Sequence, residues 1–372
     1  VTIKVSYVVI TRDRRELLLE CLASLDRQSP PARNGSPTSS GVPGGLPGES
    51  SSSAAAGAED RAWCQLIVVD NGSTDGTPSV VRARYPQARL IELGENRGVA
   101  GGRNVGLQQA GGELCVLIDD DATLPDSRAT ARIVTRFDER PDLTVAGLLI
   151  QNALTGQPER AAIPHRRKDR VSPDRSGREA GCVPADPPAP EVGTRGASVG
   201  DQRPQVVREG LRGTDRGPVR ACAYFTGAGF VVRRQRVLEV GGFWEPLVYA
   251  GEELDLSYRL IAAGDEIAYF TDVCVVHHAT PQARPSAQFV YYQARNRPWI
   301  ALRHLPGLCV LTTAVLWWGM LAVLAIRHGQ AGAWLRGIRD CLRGAWGVYR
   351  ERRSLSRATL RRIWALGGRI WY

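Results

Sequence analysis

Strands and helices that alternate along the chain predict an α/β fold with a mostly parallel, Rossmann-like sheet flanked by helices. Three observations carry that prediction. Short uncharged runs, such as 5–10, 65–69 and the opening of 114–123, read as strands buried on both faces. Amphipathic stretches lie between them; in 15–28, Leu17, Leu18, Cys21, Leu22 and Leu25 recur at helical spacing. Turn chemistry marks the joints, as in Asn71-Gly72, Asp75-Gly76 and Gly111-Gly112.

Residues 5–10 form the first expected strand, with Thr11-Arg12-Asp13-Arg14 as its carboxyl-end loop and a helix over 15–28. Residues 29–60 are Ser, Gly, Pro and Ala with almost no large apolar side chain. Such a segment buries too little surface to offset its ordering entropy, so a disordered surface insertion is expected. A strand over 65–69 ends in Asp70-Asn71-Gly72-Ser73-Thr74-Asp75. A helix over 79–85 stops before Pro86, and 89–92 is a short strand. Residues 95–106 make a Gly-rich entry to a helix that reaches Ala110. The apolar run from Leu114 then delivers Asp119, Asp120 and Asp121.

A helix over 126–140 and a strand over 143–150 complete a first half, 1–150, that would bind nucleotide. A second half, 151–306, contains another expected flexible insertion at 165–218, dominated by Arg, Asp, Pro and Gly. A strand pattern resumes over 221–232, followed by a short helix at 235–240. Gly251-Glu252-Glu253-Leu254-Asp255 then leads a helix through Ala263. Strands at 267–270 and 273–276 deliver His277 and His278. The last part, 307–372, is of a different kind. Residues 308–326 carry no charge and are just long enough to span a bilayer. Residues 333–349 place Trp334, Leu335, Ile338, Leu342 and Trp346 on one stripe among arginines, a pattern suited to an anionic membrane surface.

Composition narrows the partners. Lys plus Arg number 48 against 38 for Asp plus Glu, and Lys4 and Lys168 are the only lysines. A basic balance admits nucleic acid, an anionic membrane or a phosphorylated substrate. Nucleic acid leaves the acidic clusters unexplained and is not expected as a partner. The eight cysteines form no C-x-x-C pair, so buried free thiols are expected rather than a zinc site or disulfide framework.

Four loops, 11–14, 70–75, 96–104 and 119–121, fall at expected strand ends, where open α/β sheets hold ligands. In extended chain Asp119 and Asp121 point the same way and repel each other unless a cation sits between them. Mg²⁺ or Mn²⁺ on a diphosphate is the economical occupant. Asp70 can accept from a base N–H, and the amides of 98–102, with Arg103, can face phosphate. The spacing is not that of a dinucleotide-binding G-x-G-x-x-G. Glu252, Glu253 and Asp255 form a second acidic cluster on a helix N-terminal turn, where acids also complement the macrodipole. His277 is a candidate metal ligand at a strand end.

Taken together and in order, these pieces resemble a known family. Val8-Val9-Ile10-Thr11, Val68-Val69-Asp70-Asn71-Gly72-Ser73, Asn96-Arg97-Gly98, Asp119-Asp120-Asp121, Gly227-Ala228-Gly229, Gly241-Gly242-Phe243, Gly251-Glu252-Glu253-Leu254-Asp255 and Val276-His277-His278 carry it. The chain is similar to GT-A-fold glycosyltransferases of family 2, especially the rhamnosyltransferase-like branch. Arg295-Asn296-Arg297-Pro298-Trp299 also looks like that branch. The resemblance implies an inverting transfer of a sugar from a nucleotide-diphosphate donor, dTDP-rhamnose among them, to a saccharide or lipid-linked acceptor at the cytoplasmic face of the plasma membrane. It places Thr11, Asp13, Arg14, Asp70, Asn71, Ser73, Asn96, Gly98, Arg103, Asp119 and Asp120 on the donor, and Asp121, Asp119 and His277 on Mg²⁺ or Mn²⁺. Glu253 becomes the catalytic base, with Glu252 and Asp255 beside it. Asp13 stands where Asn is usual, Glu253 where Asp is commoner, and Trp244 where an acid usually follows Gly-Gly-Phe. Two other readings remain: a membrane-associated pseudoenzyme that binds nucleotide sugar, and a sugar nucleotidyltransferase. The latter needs a Gly-rich loop where Thr11-Arg12-Asp13-Arg14 stands.

Overall fold

The computed structural model describes residues 4–30, 63–159, 218–278 and 286–368. The insertions expected at 29–60 and 165–218 thus lie almost wholly outside the described residues. The chain runs β1 (Val5–Thr11), α1 (Arg15–Asp26), β2 (Cys64–Asp70), α2 (Thr77–Arg84), β3 (Arg89–Glu92), α3 (Gly98–Gln109), β4 (Leu114–Asp119) and β5 (Ala122–Thr123). It continues through α4 (Ala129–Glu139), β6 (Leu143–Asn152), β7 (Val219–Ala221), β8 (Gly229–Arg233), α5 (Arg234–Glu239), α6 (Glu252–Ala262) and β9 (Glu266–His277). Four helices follow: α7 (Ala287–His304), α8 (Gly307–Arg327), α9 (Ala331–Arg350) and α10 (Arg357–Ala365).

Alternation along the strands builds three layers. In β1, Val5, Tyr7 and Val9 pack to one side with Leu18, Leu22 and Phe137 of α1 and α4. Val8 faces the opposite core with Ala100 and Leu107 of α3 and Leu256 of α6. The same alternation splits Val68 from Ile67 and Val69, and Val116 from Cys115 and Leu117. Burial on both faces explains why these strands are uncharged runs.

The sheet order is β3-β2-β1-β4-β8-β6-β9-β5, with β7 on β9. Strands β3, β2, β1 and β4 are parallel, but β8 runs antiparallel between β4 and β6. The sheet is therefore mixed beyond β4. The boundary expected at residue 150 falls inside β6, so the two halves share one sheet. The strands expected at 267–270 and 273–276 are a single β9: its pairing with β6 shifts register between Leu148 and Leu149, and 271–273 bulge out without ending the strand.

Helix α7 was not legible by periodicity. It buries polar Gln293, Asn296, Arg303 and His304 and carries Pro298 internally, which blurs the apolar stripe. It is the floor on which α8 and α9 pack: Trp318 Nε1 donates to Ala294 O at 2.8 Å, and Trp299 Nε1 to Cys341 O at 2.9 Å. Among the described residues Cys21, Cys115, Cys222, Cys309 and Cys341 are free thiols, as expected, but Cys274 is disulfide-bonded, which corrects the expectation of thiols throughout.

Candidate active site

Register places the predicted loops on one edge. Thr11 pairs with Asp70 across β1–β2, and Ile10 with Asp119 across β1–β4. The three parallel strands thus end level, and their loops open onto a common crevice. Ala122 pairs with His277 across β5–β9, which carries the imidazole to the same acids.

The three aspartates have separate surroundings. Thr11 Oγ1 donates to Asp120 Oδ2 at 2.8 Å, and Arg14 Nη1 to Asp120 Oδ1 at 3.1 Å. Burial raises the Asp120 carboxyl above its ordinary range despite Arg14. Arg14 Nη1 also donates to Asp121 Oδ2 at 2.7 Å. Burial opposes charge on Asp121, but His277 and Arg14 outweigh it and hold that carboxyl below the usual range. Burial lifts Asp119 to about 6, with Arg103 pulling the other way.

Ligating atoms of Asp119, Asp121 and His277 lie within 4.8 Å of one another. His277 Nε2 is 3.3 Å from Asp121 Oδ1, and its Nδ1 lies 2.8 Å from Glu159 Oε1. Burial opposes its charge, but Asp121 and Glu159 push the imidazole up to about 10. A carboxylate on one ring nitrogen with the other facing an acid pair is the usual outer support of a metal-ligating histidine. Two carboxylates and one imidazole fit a hard or borderline divalent cation such as Mn²⁺.

Arg103 joins this cluster to the second one. From the first turns of α3, Nη1 donates to Glu253 Oε1 at 2.8 Å and Glu252 Oε1 at 3.2 Å. Nη2 donates to Asp119 Oδ1 at 3.3 Å and Gly227 O at 3.0 Å. Its Cζ lies 5.1 Å from the Phe230 ring centroid and 5.5 Å from that of Phe243. Here the Nη donors of Arg103 are taken by three protein carboxylates and the Gly227 carbonyl. Burial disfavours its charge, yet Glu253, Asp119 and Glu252 raise its pKa further. Glu252 is almost fully buried, and desolvation, then Glu253, pushes it up to about 8; its Oε2 has no partner. Glu253 is the more open of the two, with a 15% exposed side chain. A Cβ at position 227 would meet Glu253 Oε1 and Arg103 Nη2, so a larger residue there must displace those side-chain ends.

Asp255, expected among the catalytic acids, is corrected to a structural role. It is 0% exposed and faces away into the α6–α7 contact. Arg259 Nε donates to its Oδ2 at 2.9 Å, while Arg303 and His304 Nε2 meet Oδ1, the latter at 2.7 Å. Burial raises its pKa, but His304, Arg259 and Arg303 win and hold it far below the usual range.

The nucleotide loops are laced to each other. Asp13, at φ 52, accepts from Thr74 N at 2.6 Å, and Asp13 N donates to Ser73 Oγ at 3.0 Å. Asp and Asn tolerate that left-handed backbone, so Asp13 fills the position where Asn is usual. Asn71 bridges to the next loop, donating to Gly98 O at 3.0 Å and accepting from Arg97 N at 2.9 Å. Asn96 Oδ1 accepts from Gly98 N at 2.9 Å, and Gly98 takes φ 73 against Val248. The side chains of Asn71, Asn96 and Ser73 therefore shape the loops. Asp70 differs: Oδ2 accepts from Ser73 N at 3.1 Å, but buried Oδ1 has no partner.

Two features escaped the sequence. Glu159 lies 118 residues from His277, with no motif around it. Trp244 Nε1 donates to Glu351 Oε2 at 2.9 Å, tying the loop after α5 to the end of α9. The next residue, Glu245, accepts from Asn104 at 3.0 Å and Arg97 at 3.1 Å.

A crevice at parallel strand ends, a metal-capable acid pair and a second acid on a facing helix define a nucleotide-sugar-transferase type of architecture. Known proteins agree. The sequence model of Glycosyl transferase family 2 matches residues 55–182. The N-acetylglucosaminyl-diphospho-decaprenol L-rhamnosyltransferase of Mycobacterium tuberculosis is 30% identical over 223 residues, 57% of this chain and 66% of that protein. An uncharacterized glycosyltransferase of Bacillus subtilis, YfnE, is 27% identical over 226 residues, 58% and 57% of the two chains. The chain thus spans somewhat under two thirds of the length of these curated relatives. GalNAc-T7, solved with UDP, GalNAc and Mn²⁺, superposes with TM-score 0.52 at 12% identity, over 94% of this chain and 58% of that one. S. aureus TarS 1-349 with UDP-GlcNAc gives 0.50 at 15% identity, over 94% and 84%. Over residues 55–182 the chain is similar to glycosyltransferase family 2, and it shares the GT-A fold of these solved neighbours.

Proposed function

We propose that this chain transfers a sugar, with inversion, from a nucleotide-diphosphate donor to an acceptor hydroxyl. The observation that carries the reading is Arg103, which holds Glu253 and Asp119 on one guanidinium and so fixes a base against an acid cluster fit for metal. Glu253 accepts the acceptor's hydroxyl proton. The acceptor oxygen then bonds to the anomeric carbon as its bond to the diphosphate oxygen breaks, the electron pair leaving with the diphosphate. A divalent ion on Asp121, Asp119 and His277 would offset charge growing on that leaving group. Orphan Asp70 Oδ1 is positioned to accept from a base N–H, and Arg14 is the exposed cation nearest the aspartates.

The relative named as an L-rhamnosyltransferase favours dTDP-rhamnose as donor and a lipid-linked saccharide as acceptor. Helix α8 is apolar and leaves Leu308 72% and Ile326 71% exposed. Exposed Leu335, Leu342, Trp346 and Tyr349 of α9 continue that surface beside exposed Arg336, Arg339 and Arg343. Because α8 packs along α7 and turns straight into α9, we assign it to the bilayer interface rather than to a span.

The test is turnover. With Mn²⁺, a panel of nucleotide-diphosphate sugars should yield free nucleoside diphosphate and a glycosylated acceptor for at least one donor. A protein that binds such donors and turns over none would be a pseudoenzyme; one that binds none sinks the reading.

A further inference from the structure

Among the described residues, Arg297 of α7 has no counter-charge. Arg303 meets Asp255, and Arg295 donates to the carbonyls of Pro246 and Leu247. On Arg297, Nε donates to Gln293 Oε1 at 2.9 Å; among the described residues no carboxylate forms an ion pair with it and its Nη atoms make no hydrogen bond. Leaving a half-buried guanidinium unpaired costs free energy that a bound anion would recover. Its surroundings say where that anion comes from. Its neighbour Asn296 donates to the carbonyls of Tyr249 and Ala250, just before Glu252, which puts this stretch of α7 beside the start of α6; Glu253 and Glu252 are the carboxylates whose charge reaches Arg297. Its other neighbour is Trp317 of α8, whose ring centroid lies 4.5 Å from Cζ. The indole Nε1 of Trp317 is itself a buried donor without a partner. Two donor groups short of partners, one on α7 and one on α8, thus lie together where α7 meets an apolar helix that exposes Leu308, Leu311, Val315 and Leu316.

We propose that Arg297, with Trp317, receives the phosphate of a lipid-linked acceptor whose tail lies along α8 while its sugar reaches Glu253. The arrangement orders the acceptor by chemistry: hydroxyl at the carboxylate, phosphate at the guanidinium, hydrocarbon at the apolar helix. An uncharged glycolipid would leave the guanidinium unpaired and bind less well. The forked N–H pair suits two phosphate oxygens in a way a lysine does not. The proposal rests on the transferase reading for what happens at Glu253, but the anion site can be tested without transfer.

The probes are farnesyl diphosphate, farnesol and dTDP with Mn²⁺, titrated by calorimetry in detergent micelles against the full chain and R297Q. The wild type should bind farnesyl diphosphate about tenfold or more tighter than farnesol, and R297Q should lose most of that preference. No preference in the wild type, or the same preference in R297Q, overturns the proposal. A loss of dTDP affinity in R297Q equal to the loss for farnesyl diphosphate places Arg297 on the donor and also overturns it. If R297Q does not fold, R297K carries the test: it should weaken farnesyl diphosphate several-fold relative to farnesol, and an unaltered ratio counts against the assignment. A chain that shows the Arg297-dependent preference but turns over no nucleotide sugar would sink the transferase reading and leave the anion site standing.

Discussion

Arg103 is the residue through which the two acidic clusters become one site. It was legible as part of a Gly-rich helix entry, but not in its role: its partners Glu252 and Glu253 lie 149 and 150 residues away, so no local pattern records the contact. Gly227 belongs to the same assembly. In G227A the new methyl would displace Glu253, and misplacing a base by an ångström costs about a hundredfold in kcat; steady-state kinetics should show the loss in kcat with donor KM little changed. Glu252 tests the division of labour. Held up to about 8, it is protonated in the folded chain at neutral pH, whereas the unfolded chain releases its proton near 4.5. Its burial therefore subtracts stability progressively as pH rises from about 4.5 to 8. E252Q should be more stable to unfolding than wild type at pH 8 but not at pH 4, by on the order of 1–3 kcal/mol. A wild-type-like pH profile in E252Q would show that the raised proton affinity lies elsewhere.

At the scale of elements, α6 faces two ways. Its first turn offers Glu252 and Glu253 to the crevice, while Asp255, one step round, anchors α7. From sequence the three acids look like one cluster; the 3.6-residue turn separates them, and burial decides the outcome. D255N should cost about 3–5 kcal/mol in denaturant unfolding, because Arg259 and Arg303 lose a buried counter-charge. Asp255 has a depressed pKa when folded, so its contribution is present above the ordinary aspartate pKa and is lost as pH falls through the folded value. Wild type should lose stability in acid below about pH 4 more steeply than D255N. Helix α9 likewise divides its faces. Ala333, Gly337, Cys341 and Val348 are buried, leaving the apolar and arginine rows outward. Its amphipathic stripe was legible; which side faces the protein was not, because small Ala333, Gly337 and Cys341 share the contact with Trp334 and Val348 while Leu335, Leu342 and Trp346 stay outward. R336Q/R339Q/R343Q should weaken binding to anionic vesicles by about 1 kcal/mol per charge, about a hundredfold in all. Sedimentation with phosphatidylglycerol vesicles reads that directly, and unaltered binding would remove the basic row from the membrane surface.

Across the whole molecule, the parallel half of the sheet was the legible half. Strands buried on both faces announce themselves as uncharged runs, and loops at their ends announce ligand chemistry. The reversal at β8 and the bulge in β9 depend on pairing between distant segments and left no periodic mark. Those two departures nonetheless build the site, since β8 follows Gly227 and β9 ends in His277. D121A should weaken Mn²⁺-dependent nucleotide binding; identical titrations in wild type and variant would take the ion away from this cluster. The most direct measurement is the transfer rate of E253Q, with donor binding titrated in parallel. Loss of about 10²–10⁴-fold in rate with donor affinity retained is the predicted result for a base held on Arg103. Transfer at the wild-type rate would contradict it.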